Sequence, residues 1–502
     1  MTLRPTSRKL VRNVLASLAL AAISLLIVEL FAYASSRMVR SPLQAMDDDV
    51  VDLSFHIRSK NNAHQFVKPE DVVIIDIDDY SIERMGRSQS WPRGYDAKVI
   101  AYIASGNPKA IGVDYLYTES DSLSAAFLSI LEESGVANPK SVADGMSTDH
   151  ELVEAVDSAR CAYLAFFDDD ADKADSAVVP KSLFSFPIVG AHSKLKRVNQ
   201  PVLPFNELAE VAKGIGGIEI PSAEDGTVRN YQAMSRLDEG AAIGNFPVYM
   251  MLDAKGIRRD QVVMGDRGLM HADTLLLPLD ASGTFRLNWL GNTEEFRYIS
   301  YYKVWNELTP AEFFEGKYVF LGTSASGLQD LKTVPSRDDK MPGVEVHATA
   351  FLNMMNSALL KEPSVSAVRL TYFLLAFIMV FIFLSIHPIA GVVLTFLFYF
   401  GFRFAFEIWV LPVKHYIIPI AMLMTMTLIC YVTSVLYAYF IRERRNRILK
   451  RAFARYVSPE IVKWITREGL GLQLGGEKKE LTVLFSDIRE FTNISEQFDS
   501  QK

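Results

Sequence analysis

At 502 residues the chain is long enough for about three domains, and 49% of it is apolar, which points to membrane segments. Its 52 basic and 59 acidic residues leave a formal net charge of −7, which excludes the global basic signature of a nucleic-acid binder. Two cysteines, Cys161 and Cys430, exclude a disulfide framework and a cysteine metal site, leaving only an intermolecular Cys161 bridge open.

The chain begins with Arg4, Arg8, Lys9 and Arg12, followed by an apolar run from Val14 to Ala34. About 20 apolar residues suffice to span a bilayer as a helix, and the basic flank predicts a cytoplasmic N-terminus. Ala32-Tyr33-Ala34 also resembles a small-residue cleavage site. An uncleaved anchor and a signal peptide ending near Ser35 are therefore both open, and either exports the next stretch of chain. Pro42 to Arg58, polar and acidic, predicts a short helix. Val72 to Ile77 predicts a strand running into carboxylates, with Asp78 or Asp79 capping a helix from Ser81. A helix over Tyr95 to Ser105 and a second strand within Lys109 to Tyr117 complete a strand–helix–strand order, which implies a parallel pair and an α/β domain.

The middle of the chain is less regular. Asp168-Asp169-Asp170-Ala171-Asp172 reads as a solvated acidic loop without the Gly and Glu of a calcium loop. Gly214 to Arg229 has glycine-rich strand and turn character, Gly244 to Leu252 suits a helix, and Phe285 to Leu290 and Tyr318 to Leu321 suit strands. The Gly/Ser-rich segment from Gly322 to Asp330 can bind an anion or form a plain tight turn. Glu345 and His347, two residues apart on a predicted helix, point to different faces and make a poor metal pair.

Further apolar runs at Val368 to Ile386, Ile389 to Val410 and Ile417 to Phe440 can each span a membrane. With the first run they return the chain to the cytoplasm, where Arg442, Arg444, Arg445, Arg447, Lys450 and Arg451 crowd the last exit. Arg403 and Glu407, one turn apart inside a crossing, read as a mutually neutralising pair. Leu449, Phe453 and Tyr456 or Val457 form an apolar stripe that can pair two stalks in a homodimer, cover a catalytic domain or lie on membrane lipid. Leu481 to Ser486 reads as a buried strand ending at Asp487. A carboxylate there can hold Mg²⁺ or simply cap the next helix.

Two resemblances organise these elements. Asp76-Ile77-Asp78-Asp79, Trp91-Pro92-Arg93, Gly112-Val113-Asp114, Asp225-Gly226-Thr227-Val228-Arg229, Phe320 to Ala325 and Pro342 to Ala348 resemble, in this order, the type-2 CHASE domain. That family comprises extracytoplasmic sensor modules of bacterial signalling proteins, and the likeness spans roughly Met46 to Leu360. It implies an unknown external ligand, with Asp78, Asp79, Arg93, Asp225, Arg229, Thr323 and Ser324 as candidate sensor positions. Residues from Thr118 to His150 fit poorly and read as an insertion.

Phe453 to Val462, together with Phe485-Ser486-Asp487-Ile488-Arg489-x-Phe491-Thr492, resembles the opening of a class III nucleotide cyclase domain, of α+β, ferredoxin-like fold. The resemblance implies synthesis of cyclic AMP from ATP, without excluding GTP, with two Mg or Mn ions. Asp487 and the backbone carbonyl of Ile488 would be metal ligands, and the backbone of Arg489, Glu490, Phe491 and Thr492 would contact phosphate. Glu490 stands where that family often has Gly. The second metal aspartate and the transition-state groups lie beyond Lys502, so the 502 residues alone are expected to be inactive. The resulting layout is a cytoplasmic N-terminus and first crossing (1–35), an α/β extracytoplasmic sensor (36–366), three crossings (367–440), a stalk (441–476) and the start of a cyclase domain (477–502). It belongs in a bacterial inner membrane as a multi-pass protein, with the sensor periplasmic or extracellular. A non-catalytic membrane receptor is the alternative, and a transporter is disfavoured by the size of the external domain.

Overall fold

A breaker-free run of β-branched residues, Val72–Ile77, forms the strand around which the largest domain is built (β1). The computed structural model describes residues 5–35, 42–61, 69–119, 122–144, 147–169, 185–190, 194–289, 296–325 and 330–453, with isolated positions between 480 and 489. The chain divides into two compact units, Met1–Ser434 and Val435–Lys502.

In the first unit β1 is joined by Ala110–Val113 (β2), Ala162–Asp168 (β3), Pro201–Val202 (β4), Gly214–Gly217 (β5), Arg297–Ser300 (β6) and Tyr318–Thr323 (β7) in a seven-stranded sheet. The order β6-β1-β7-β2-β3-β5 is parallel throughout, and β4 pairs antiparallel with the end of β3. Alternating side chains enter two cores, as a parallel sheet covered on both faces requires. Val72, Ile74, Tyr318 and Phe320 face the helices Phe246–Ala254 and Gly343–Met355. Val73, Ile75, Val319 and Leu321 face Arg93–Ser105 and Asp149–Ala159. Small antiparallel sheets extend the first face; one pairs Asn230–Gln232 with Thr284–Arg286.

The predicted elements have direct counterparts. The Ser81 helix is Asp79–Met85, the helix within Gly244 to Leu252 is Phe246–Ala254, and the strands near Phe285 and Tyr318 are Thr284–Arg286 and β7. Three readings need correction. The acidic approach is not a short helix but a 20-residue one, Pro42–Asn61. Asp168 is not in a solvated loop: β3 continues through it, because its carboxylate accepts hydrogen bonds from the Asn199 and Gln200 amides. Asp170 to Asp172 lie outside the described residues. Finally, Thr482 and Leu484 to Asp487 carry no strand, and Leu484 and Phe485 are 88% and 91% exposed. Among the described residues no strand pairs with them, so their apolar side chains have nothing to bury against.

Among the described residues, four helices are long and apolar enough to cross a membrane: Val11–Ala34, Val365–Phe383, Pro388–Leu411 and Ile420–Ile441. The first packs on the second and the last through Ala21, Val28, Ala376, Val380 and Met426. Ser24 and Thr433 hydroxyls meet at 3.2 Å, and Arg369 donates to both carboxylate oxygens of Glu29 at 2.8 and 2.9 Å. Arg403 and Glu407 form the expected ion pair where the third helix loosens into a π-helical turn, Phe406–Lys414. The chain then reverses at His415, whose φ is +55°. In the second unit the last helix continues to Phe453, with Arg447 paired to Glu443 at 3.2 Å.

Candidate functional site

The candidate sensor positions fall into three groupings, of which the first and the third are closed by their own hydrogen bonds. At the carboxyl ends of β1 and β7, Asp76 accepts from the Ser324 amide at 2.7 Å and the Ser324 hydroxyl at 2.5 Å. Thr323 donates its hydroxyl to the Ile77 carbonyl at 3.1 Å. Burial pushes Asp76 up to about 6, with the Ser324 hydrogen bonds opposing it. Asp78 caps the Asp79–Met85 helix, accepting from the Ser81 amide at 2.8 Å, the Ser81 hydroxyl at 2.6 Å and the Ser300 hydroxyl at 2.9 Å. Asp79 is the first residue of that helix. These side chains fasten strand ends to helix starts.

Arg93 belongs to a second grouping. Its guanidinium lies 4.9 Å from the Tyr117 ring centre, beside Asp96, which accepts from the Tyr301 hydroxyl at 2.7 Å. Trp91 anchors this corner: its indole N–H donates to the Met85 and Gly86 carbonyls, and its ring lies 5.0 Å from that of Tyr301.

The third grouping holds Asp225 and Arg229, and it reaches toward the membrane helices. Arg229 forks onto Asp225 at 2.9 and 3.0 Å and onto Asp52 at 2.7 and 3.1 Å. The Arg229 hydrogen bond holds Asp225 well below the usual carboxylate range. Asp52 is more deeply buried, and burial raises it in spite of the same guanidinium. Four residues before Asp52 on the Pro42–Asn61 helix, Asp48 pairs with Arg286 at 2.9 Å. Next to it, Asp47 accepts from the Ala421 amide at 2.6 Å, at the head of the last membrane helix. Burial pushes Asp47 up to about 6, against the pull of that amide. One acidic helix thus holds two arginines of the α/β domain and the first turn of Ile420–Phe453. A second connection runs through the reversal at His415, whose carbonyl accepts from the Lys361 amide at 2.7 Å, while Ile417 donates back to the Lys361 carbonyl at 2.9 Å.

Sequence reasoning missed Asp47, Asp48 and Asp52, although the triple aspartate followed by Asp52 one turn later was visible. It also missed a cavity of about 340 Å³ at the carboxyl ends of β3 and β5, lined among others by Asp168, Lys196, Glu219, Asn245, Asp330 and Lys332. Glu345 and His347 do diverge. Glu345 accepts from Arg337 at 3.0 Å and Tyr298 at 2.6 Å, whereas His347 Nδ1 meets the Tyr231 hydroxyl at 2.7 Å. Burial holds that imidazole neutral, pushing it down to about 3. Asp487 and Arg489 are described and exposed, whereas Ile488, Glu490, Phe491 and Thr492 lie outside the described residues. Among the described residues no group of three or more His, Cys, Asp or Glu side chains is arranged to hold a metal ion.

A mostly parallel α/β domain tied by buried ion pairs to the Pro42–Asn61 helix, which in turn holds the head of the last of four apolar helices, defines a membrane protein with a sensor-type domain. Residues 22–387 match the family model of the CHASE2 domain, and the chain belongs to the CHASE2 domain family. The match covers more than half of the 502 residues and reaches into the apolar helices on either side of the α/β domain. Comparison with curated proteins and with solved structures gives no match.

Proposed function

We propose that this chain is the sensing part of a bacterial inner-membrane nucleotide cyclase. A periplasmic or extracellular ligand biases the α/β domain, and a homodimer passes that bias to cytoplasmic catalytic halves that make cyclic AMP from ATP. The observation that carries the reading is the hold of Asp47 on the Ala421 amide. A carboxylate at a helix N-terminus stabilises the free amides and the helix dipole there. The same helix is clamped by Arg229 and Arg286, so a shift of the Asn230–Gln232 and Thr284–Arg286 strands alters the cap and with it the setting of the last helix. Coupling of this kind shifts a population and works in both directions. The C-terminal likeness to class III cyclases supplies the output. There Asp487 and the Ile488 carbonyl would hold one of two Mg or Mn ions, and the backbone from Arg489 through Glu490 and Phe491 to Thr492 would contact phosphate. The Asp487 residue is exposed.

The test joins this chain in frame to the remaining class III catalytic elements and measures cyclic AMP in membranes. Asp487→Ala is expected to abolish turnover while membrane insertion is retained. Asp47→Ala is expected to change basal turnover several-fold and to flatten its dependence on pH between about 5 and 7, since the cap loses its charge as pH falls through about 6. Full activity in Asp487→Ala would remove the metal assignment, and unchanged basal and pH behaviour in Asp47→Ala would remove the relay. No cyclic nucleotide from the joined protein would return the chain to a non-catalytic receptor.

A further inference from the structure

The third membrane helix, Pro388–Leu411, is the least buried of the four, and an apolar groove of about 420 Å³ runs between it and the last, Ile420–Ile441. The groove reaches from Val392 to Phe402 on the third helix and from Ile420 to Tyr431 on the last. At about 1.5 Å per residue that is about 15–17 Å, close to half of a hydrocarbon core of about 30 Å. Met46 lines the end near Ile420, next to Asp47 and its hold on the Ala421 amide. The groove therefore runs through the leaflet nearer the α/β domain. Phe396 and Leu428 on its walls are exposed, so it opens sideways between the helices.

Its chemistry is that of hydrocarbon. Among the described residues no charged side chain lines it. The Thr395, Thr425 and Thr427 hydroxyls donate to the Gly391, Ala421 and Leu423 carbonyls one turn back on their own helices, and the Tyr431 hydroxyl donates to the Pro388 carbonyl at 3.2 Å. Water in the groove would find these groups already satisfied, and an empty groove would forfeit the dispersion contacts of its walls. Width decides between an acyl chain and a helix of a second copy. About 420 Å³ over about 16 Å leaves a section of about 26 Å², or about 6 Å across. A helix needs about 10–12 Å. A single polymethylene chain fits, touching the walls at about 4 Å.

We propose that this groove holds one acyl chain of a membrane phospholipid as a bound ligand. Outward positions of the third helix, such as Leu397 and Phe400, meet bulk tails on one side only. A chain in the groove is packed by two helices at once, and packing is what drives association within lipid. Nothing on the walls reads a headgroup, so recognition is by the chain. Because the groove ends at Met46, its occupant sets the spacing of the third and last helices beside the Asp47 cap. Binding needs neither an external ligand nor the catalytic halves.

Retention is read by native mass spectrometry of the full chain released from detergent micelles doped with palmitoyl-oleoyl phosphatidylethanolamine or phosphatidylglycerol. The parent is expected to keep one phospholipid per chain, with the two headgroups equal. Thr395→Phe combined with Thr425→Phe fills the groove from both walls and is expected to lower the occupied fraction at least about fivefold. Thr395→Val combined with Thr425→Val removes the same hydroxyls without filling, and Leu397→Phe adds bulk at an outward position. Both are expected to match the parent. The parent is also labelled in nanodiscs with a phosphatidylethanolamine carrying a diazirine at mid-chain, a measurement that needs no variant to fold. Adducts are expected at Val392 and Met424 well above those at Leu397 and Phe400. No retained lipid, retention unchanged in a folded filled variant, a strong preference for one headgroup, or labelling as heavy at Leu397 as at Met424 would overturn the proposal. So would loss of a dimer in the filled variant with lipid retention intact, which would give the groove to a second copy of the chain.

Discussion

Asp76 shows how a family-type residue can serve the fold. It is 6% exposed, and its hydrogen-bonding partner is Ser324, which directly follows the neighbouring strand. Burial raises it from the ordinary 3.8 to about 6. The native state therefore holds its proton more tightly than the unfolded chain. The resulting stabilisation is complete below about pH 4 and is lost as pH rises through about 6. Asp76→Asn keeps both bonds, with Oδ1 accepting from the Ser324 amide and Nδ2 donating to its hydroxyl, and has no charge to bury. At pH 8 the variant is expected to unfold later than the parent by up to about 3 kcal/mol, a gap that closes near pH 4. Denaturant melts at the two pH values check this. A variant less stable at pH 8 would mean that the charge itself is needed.

At the scale of elements, legibility followed local signals. Val72 to Ile77 was readable because a buried parallel strand is apolar on both faces. Asp78 was readable as a cap from its place before the helix. Ala162 to Phe167 is equally apolar, yet β3 was hidden by the acidic run behind it, which has the composition of a loop. The Asp52–Arg229 and Asp47–Ala421 contacts join residues far apart in sequence, and no local period encodes such a pairing. Nor does one encode a cavity formed where strand ends, a loop and a distant lysine meet. Gly322 was visible only as part of a Gly/Ser-rich segment, and the structure supplies its reason. A Cβ there would sit 2.3 Å from Val344 Cβ, because β7 lies close under the Gly343–Met355 helix. Gly322→Ala is expected to cost about 1–3 kcal/mol, with partial recovery when Val344→Ala is added. Equal melting of the parent and the single variant would show that the helix is free to move outward.

Across the whole molecule, the apolar α/β core continues into the membrane helices through Val51, Phe55, Phe406, Leu411, Ile417 and Ile420. Glu29 and Arg369 bring the end of the first helix beside the start of the second. If the proposed orientation holds, an export-dependent phosphatase reporter after Gly135 is active and one after Arg447 is silent, and the reverse pattern would invert the topology. The strand order has a separate consequence, for biogenesis. β7 lies between β1 and β2, with Ile75 paired to Leu321 on one side and Val113 paired to the same residue on the other. The ribosome therefore delivers β1 and β2 long before the strand that separates them. About 205 residues separate β2 from β7, and at about 5–20 residues per second their synthesis leaves roughly 10–40 s in which two unpaired apolar edges wait. Such edges invite wrong partners. This architecture therefore makes the nascent domain dependent on holding chaperones in the compartment where it folds, until Tyr318–Thr323 arrives to complete the sheet.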